Sequence, residues 1–129
     1  MIEEKKTSLH PISETLCEVY RSLHERGETS FPLANIQIAK IDSVVKTVNS
    51  NYWGFNRYSS REDRASAYFY FIIKDHPVID GNKRLATIWL QIYCSVTGLA
   101  INQTAEVDVL AVAVEKSQFE SNTVISLVK

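Results

Sequence analysis

The chain has 129 residues, of which 45% are hydrophobic and 22% are charged, and its formal net charge is -1. These values are typical of a soluble globular protein, so we expect one domain over residues 1–129, either a whole protein or part of a longer one. The absence of a basic surplus argues against a duplex nucleic-acid-binding protein. The N-terminal stretch MIEEKKTSLH has no apolar segment, and no apolar run approaches membrane-spanning length, so neither a signal peptide nor a membrane span is expected.

The two cysteines, Cys17 and Cys94, lie far apart and have no metal-ligand spacing. Cys17 falls in an amphipathic stretch and Cys94 in an apolar one, which favours buried free thiols over a disulfide. Free thiols agree with a reducing compartment, and we therefore expect a cytoplasmic protein.

Apolar residues recur at helical spacing along most of the chain. The predicted helices cover about residues 11–26, 41–49, 61–74 and 82–97, and two more begin near Thr104 and Ser121. The valines after Thr104 also favour strand, but their spacing tips the prediction to helix. Residues 28–40 break the helical pattern around Pro32, and a short extended segment or hairpin is expected there.

The third and fourth predicted helices are the most apolar. The third is apolar on most sides after Arg64, so we place it at the centre of the core. Ser59 or Ser60 can cap its start, and Pro77 ends it near Asp75. The fourth helix would end at Gly98. The sequence thus predicts an all-α domain with two central apolar helices and one small extended excursion.

The segment between these helices is His76-Pro77-Val78-Ile79-Asp80-Gly81-Asn82-Lys83-Arg84. Gly81 permits a tight turn close to a ligand, and the helix after it opens with free N–H groups that suit an anion. Arginine matches phosphate oxygens with paired hydrogen bonds, and the phosphate-binding candidates are Gly81, Asn82, Lys83 and Arg84. Asp80 is a hard oxygen ligand suited to Mg²⁺, and His76 can take a proton from an attacking hydroxyl.

Each of these residues also has a purely structural interpretation. A histidine before a proline often contacts a helix end, and Asp-Gly-Asn is a common turn. Their combination in this order favours group transfer from a nucleotide.

The segment resembles the signature of the Fic/Doc family, His-x-Phe-x-Asp/Glu-Gly-Asn-Gly/Lys-Arg. Its chemically committed positions match at His76, Asp80, Gly81, Asn82 and Arg84, while Val78 replaces the apolar Phe. The stretch from Tyr70 to Asp75 is also similar to the C-terminal domain of RhuM-type virulence proteins.

The resemblance implies a Fic-like helical bundle that moves a phosphate or AMP group from a nucleoside triphosphate to a hydroxyl of a protein substrate. It implies ATP as the co-substrate, His76 as the base and Mg²⁺ on Asp80. Family members also carry a β-hairpin flap that docks the target by strand-like pairing. The residues that resemble this flap are Leu33, Ala34, Asn35, Ile36, Gln37 and Ile38.

Two departures from the AMP-transferring form of the signature favour phosphate transfer. Lys83 stands where that form has Gly, and Thr87 stands where it has a second Arg. Both make the chain similar to Doc, whereas Gly81 matches the AMP-transferring form. AMP and phosphate transfer therefore both stay open, with a slight preference for phosphate.

The chain contains no Glu-Gly or Glu-Asn pair of the kind found in the family's inhibitory helix. A toxin-like activity would therefore need a separate antitoxin or another domain to restrain it, as in bacterial toxin–antitoxin pairs. The alternative hypothesis is a catalytically silent Fic-fold binding module that acts through a protein partner.

Overall fold

A computed structural model describes residues 9–52, 55–56, 58–100, 111–112 and 114–115. Its elements in chain order are α1 (Pro11–Glu25), α2 (Asn35–Val48), β1 (Asn51–Tyr52), β2 (Phe55–Asn56), α3 (Arg61–Asp75) and α4 (Asn82–Thr97). The predicted all-α class is confirmed. Residues 111–112 and 114–115 are helical, while the predicted helix starts at Thr104 and Ser121 lie outside the described residues. No described helix combines the length and apolar character needed to cross a membrane.

Helix α1 matches its prediction. The ring nitrogen Nδ1 of His10 accepts the N–H of Ile12 at 3.0 Å, and Pro11 occupies the first turn, where its missing N–H costs nothing. Leu16, Tyr20 and Leu23 lie on one face of the helix and are buried. This face therefore joins the core and fixes the direction in which the chain leaves α1.

Helix α2 begins at Asn35, well before the predicted start near residue 41. The extended segment expected around Pro32 is wrong from residue 35 onward, and so is the hairpin flap predicted from Leu33 to Ile38. The N–H of Ala34 donates to the side-chain Oε1 of Gln37 at 3.2 Å, which stabilises the helix start. The helix then buries one continuous face, made of Gln37, Ile41, Val44, Val45 and Val48.

A two-residue antiparallel pair lies directly before α3. Asn51 pairs with Asn56, and Tyr52 pairs with Phe55. This extended pair follows α2, whereas the sequence predicted an extended segment or hairpin before α2, in residues 28–40.

Helices α3 and α4 form the centre of the core, as predicted. Ser60 Oγ accepts the N–H of Asp63 at 3.0 Å at the start of α3, and Gly98 ends α4 in the left-handed conformation. Helix α3 packs against both α2 and α4. Across the α3–α4 contact the rings of Tyr68 and Trp89 meet edge to face, with centroids 5.9 Å apart. This packing holds the two ends of the connecting loop in fixed positions.

The cysteine prediction is confirmed. Cys17 and Cys94 are both free and buried. Burial raises the pKa of each thiol, so neither is a reactive thiolate at neutral pH.

Candidate active site

The loop between α3 and α4 is anchored at its middle and open at both ends. Helix α3 ends at His76, whose φ of 50° and ψ of 58° place it in the left-handed region. This conformation is uncommon for a residue other than glycine and is found disproportionately at functional sites. Pro77 and Val78 are buried, whereas His76 and Ile79 are exposed. The buried Val78 thus fixes the loop, and the imidazole of His76 faces solvent.

The side chain of Asn82 holds this loop from within. Its Oδ1 accepts the N–H of Val78 at 3.0 Å, and its Nδ2 donates to the carbonyl of Val78 at 2.9 Å. These two bonds fix the orientation of the amide, so Nδ2 is the atom that lies 3.4 Å from Nδ1 of His76. The side chain of Asn82, a predicted phosphate-binding residue, is buried in this geometry and positions the loop and His76.

The first turn of α4 offers an anion site made of backbone N–H groups. Its N-cap is Gly81 at a φ of 92°, and within the described part of the chain no side chain caps this end. The N–H groups at the start of a helix have no partner inside the helix, and together with the helix dipole they favour an anion. Asn82, Lys83 and Arg84 therefore each present a backbone donor at this turn.

Residues 28–30, which we call the bracing segment, lie against the motif. The N–H of Ser30 donates to Oδ2 of Asp80 at 2.9 Å. A Cβ built on Gly81 would lie 2.7 Å from Cγ2 of Thr29. Arg84 Nη1 donates to Oε1 of Glu28 at 3.1 Å. The bracing segment thus contacts the motif at Asp80, Gly81 and Arg84 in turn.

Helix α1 keeps the bracing segment in place. The hydroxyl of Tyr20 donates to the carbonyl of Phe31 at 2.7 Å, and Nδ1 of His24 lies 3.1 Å from the carbonyl of Thr29. Sequence reasoning did not find the bracing segment, because its partners in the motif lie 50 to 56 positions away and no local pattern marks it.

A pocket of about 510 Å³ adjoins the motif along α4. It is lined by Lys83, Arg84, Thr87, Ile88, Gln91, Ala111 and Val112. Lys83 Nζ lies 2.9 Å from Oε1 of Glu115 and keeps a side chain that is 43% exposed. The volume suits a ligand of nucleotide size, and two of the predicted phosphate-binding cations stand at its wall.

The residues present fit a Mg²⁺ ion bound together with a nucleotide. One carboxylate oxygen of Asp80 accepts the N–H of Ser30, and a carboxylate has further lone pairs for a cation. Within the described residues there is no group of three or more His, Cys, Asp or Glu side chains that could hold a metal ion alone. Mg²⁺ is commonly bound by one or two carboxylates plus substrate phosphates and water, and Asp80 is the side chain that would hold it here.

The residues predicted as a flap take other roles. Leu33 and Ala34 precede α2, and Asn35, Ile36, Gln37 and Ile38 form its first turn. The N–H of Ile38 donates to the carbonyl of Ala34 at 3.0 Å, as in a helix. Because a helical backbone does not pair as a strand, residues 35–38 are not a strand-like docking edge.

The structure thus defines an all-α domain whose two central helices are joined by a loop, and the second of these helices begins without a side-chain cap among the described residues. Comparison with protein families identifies the family of this domain: the model described as "Fic/DOC family" matches residues 9–94, from the residues before α1 to near the end of α4. The chain therefore belongs to the Fic/DOC family. Neither the comparison with curated proteins nor the comparison with solved structures finds a match.

Proposed function

We propose that the protein transfers a phosphate-containing group from a nucleoside triphosphate to a hydroxyl side chain of a target protein. One observation supports this most strongly: a single loop brings the His76 imidazole, the Asp80 carboxylate and the uncapped first turn of α4 together. Membership of a family whose members are commonly AMP transferases or related transferases points to the same chemistry.

The proposed reaction is a displacement at phosphorus. The hydroxyl oxygen of the target bonds to the phosphorus, and the bond from that phosphorus to the leaving group breaks. His76 takes the hydroxyl proton, since its imidazole is exposed and a neutral imidazole has a ring nitrogen that accepts a proton. The leaving group is pyrophosphate if AMP is transferred and ADP if phosphate is transferred.

The phosphates would lie at the first turn of α4. The backbone N–H groups there and the guanidinium of Arg84 can share the negative charge that the transition state spreads over the phosphate oxygens. Mg²⁺ bound to Asp80 would neutralise part of this charge and aid departure of the leaving group. The pocket along α4 would take the remainder of the nucleotide.

Phosphate transfer is the form of the reaction that we favour. Lys83 lines the pocket with a long cationic side chain that narrows it and adds charge, and Thr87 lines the same wall without any charge. Because Lys83 takes up room in the pocket and adds a positive charge, we expect a nucleotide to bind with its γ-phosphate toward His76. A separate antitoxin or another domain would restrain the activity.

A silent binding module is the second candidate, and a specific observation favours it. Asp80, Lys83 and Arg84 each already have a partner within the protein, namely Ser30, Glu115 and Glu28. A motif that serves only to hold its own loops would show such contacts. Catalysis instead requires that some of them exchange for ligand contacts.

The two candidates differ in what the protein does with labelled ATP. The protein, Mg²⁺ and a cell lysate are incubated with ATP labelled at either the α or the γ phosphate, and protein-bound label is measured. We expect label from the γ position, reduced by about 10²- to 10⁴-fold in His76→Ala with nucleotide affinity retained.

His10→Asn is the matched control. His10 caps the start of α1, where asparagine also caps well, so this variant should label like the wild type. If neither label becomes protein-bound, while wild type and His76→Ala capture the same protein partner, the protein is a binding module.

A further inference from the structure

One carboxylate of the bracing segment lies between two arginines from different helices. Oε1 of Glu28 is 3.1 Å from Nη1 of Arg84, and Oε2 of the same residue is 3.2 Å from Nε of Arg26. Arg84 belongs to the first turn of α4, whereas Arg26 is the C-cap residue of α1. Two guanidinium groups thus meet on one anion at the edge of the proposed phosphate site.

A phosphate can take the place of such a carboxylate. A carboxylate and a phosphate both offer a guanidinium group two acceptor oxygens at similar spacing. A phosphate has a further oxygen and more negative charge. The two arginines and Glu28 together carry a net charge of about +1, so a further anion is attracted to them. All three side chains are partly exposed, at 61% for Arg26, 56% for Arg84 and 31% for Glu28, which leaves room for exchange.

Helix α4 carries no second arginine that could join Arg84 at a phosphate. Its other cation in the first turn, Lys83, is bound to Glu115 at the pocket wall. The second guanidinium beside Arg84 is therefore that of Arg26.

We propose that Arg26 is a phosphate-binding residue, and that Arg26 and Arg84 together clamp one phosphate group of the bound nucleotide. Glu28 holds the two guanidinium groups near each other until the phosphate arrives, and it then yields its position to the ligand. The proposal rests on the proposed nucleotide-dependent function, and it adds to that function a ligand contact from α1.

A second explanation for an effect of Arg26 on nucleotide binding is indirect: Arg26 would draw Glu28 away from Arg84 and leave Arg84 available to the nucleotide. In that case Arg26→Gln would also weaken nucleotide binding, because Glu28 would bind Arg84 more tightly. The two explanations separate when Glu28 is removed. A direct contact keeps its effect in a Glu28→Gln background, whereas an effect transmitted through Glu28 disappears there.

The experiment is calorimetry with ATP and Mg²⁺ on the full chain, for Arg26→Gln, Glu28→Gln and the double variant. We expect Arg26→Gln to raise the Kd about fivefold to tenfold in both backgrounds, and Glu28→Gln alone to lower it severalfold. Arg26→Lys should recover part of the affinity, since lysine keeps the charge but not the fork. Adenosine, which has no phosphate, should bind equally to wild type and Arg26→Gln.

Arg21→Gln is the matched control, since Arg21 is another exposed α1 arginine and its ion pair among the described residues is a local one with Glu18. Its Kd should stay within twofold of the wild type, and melting temperatures show that each variant is folded. If the double variant binds ATP with the same Kd as Glu28→Gln alone, the proposal for Arg26 is wrong, and the proposed function still stands. A wild type that binds no ATP and transfers no label overturns both.

Discussion

At the scale of single residues, the side chain of Asn82 has a structural contact that the sequence did not predict. Asn82 uses both groups of its side-chain amide on the buried backbone of Val78 and turns its Nδ2 toward His76. The side chain of this asparagine therefore shapes the loop, which leaves its backbone N–H as the donor that we propose for an anion. The residue type predicted a polar role, but only the folded loop shows which partner the amide takes.

Asn82→Ala should destabilise the fold. It leaves the N–H and the carbonyl of Val78 buried without partners, and an unsatisfied buried polar group costs about 1–3 kcal/mol. Urea unfolding measures the loss. Asn35→Ala, at an exposed position at the start of α2, is the control and should change stability by less than about 0.5 kcal/mol. Unchanged stability together with lost nucleotide affinity would mean that the Asn82 side chain serves the ligand.

Asp80→Asn should weaken the binding of Mg²⁺-ATP while the fold survives. The amide oxygen of asparagine can still accept the N–H of Ser30, but the neutral group is a much poorer Mg²⁺ ligand than a carboxylate. Calorimetry with and without Mg²⁺ separates the two effects, and the loss should appear only with the metal. Asp63→Asn, in the first turn of α3, should leave both affinities unchanged. Equal losses with and without Mg²⁺ would contradict the metal role of Asp80.

At the scale of elements, three of the four helices follow from periodicity and end signals. Helices α1, α3 and α4 begin and end within about a residue of the predicted bounds, and α3 and α4 do so at the signals of Ser60, Pro77 and Gly98. The start of α2 was missed because Pro32 and the β-branched Ile36 and Ile38 favour extended structure locally, whereas burial of the α2 face favours helix. Local propensity gave way to tertiary packing at that point.

The motif of the candidate site was predictable from the sequence, but the residues that contact the motif were not. The motif itself can be recognised in the sequence, because its residues are consecutive. Its partners Glu28, Thr29 and Ser30 reach it through the fold, and Glu28 in particular meets an arginine 56 positions later. No periodicity or turn signal in one sequence encodes a contact of that separation.

Gly81→Ala tests the close approach of the bracing segment to the motif. A residue with a Cβ at a φ of 92° costs about 1–2 kcal/mol, and the Cβ would also meet Thr29 Cγ2 at 2.7 Å. Adding Thr29→Ser removes Cγ2 and should recover only the part of the loss that comes from this contact. Gly27→Ala is the matched control, since Gly27 has a φ of 77° and nothing within 4 Å of its built Cβ.

The three variants are compared by urea unfolding. Gly27→Ala should show the backbone cost alone, and Gly81→Ala should exceed it. If Gly81→Ala costs no more than Gly27→Ala, or if Thr29→Ser recovers nothing, the bracing segment does not press on the motif.

At the scale of the whole molecule, α1 links two distant regions. Its start is tied to α2 through Asp42, which accepts the hydroxyl of Ser13 at 2.6 Å and the N–H of His10 at 3.3 Å. Near its other end His24 contacts the carbonyl of Thr29 in the bracing segment, and Arg26 is its C-cap residue. The docking of α1 on α2 therefore determines where the segment opposite the motif lies.

This docking should depend on pH through the charge of Asp42. Burial raises the pKa of this carboxyl, but the hydrogen bonds from Ser13, Lys46 and the His10 N–H together outweigh burial and lower it below the usual value. A carboxyl with a lowered pKa in the folded state stabilises the fold fully above its unfolded pKa of about 3.9. That contribution is lost as the pH falls through the lower folded pKa.

Asp42→Asn, which has no titratable group, isolates the contribution. Urea unfolding at pH 7 should show the wild type more stable than Asp42→Asn, because a hydrogen bond to a charged group is stronger than one to a neutral amide. Below about pH 4 the difference should shrink, since the wild-type carboxyl becomes protonated. A stability difference between wild type and Asp42→Asn that is the same at pH 7 and pH 3 would mean that the carboxylate charge does not hold α1 against α2.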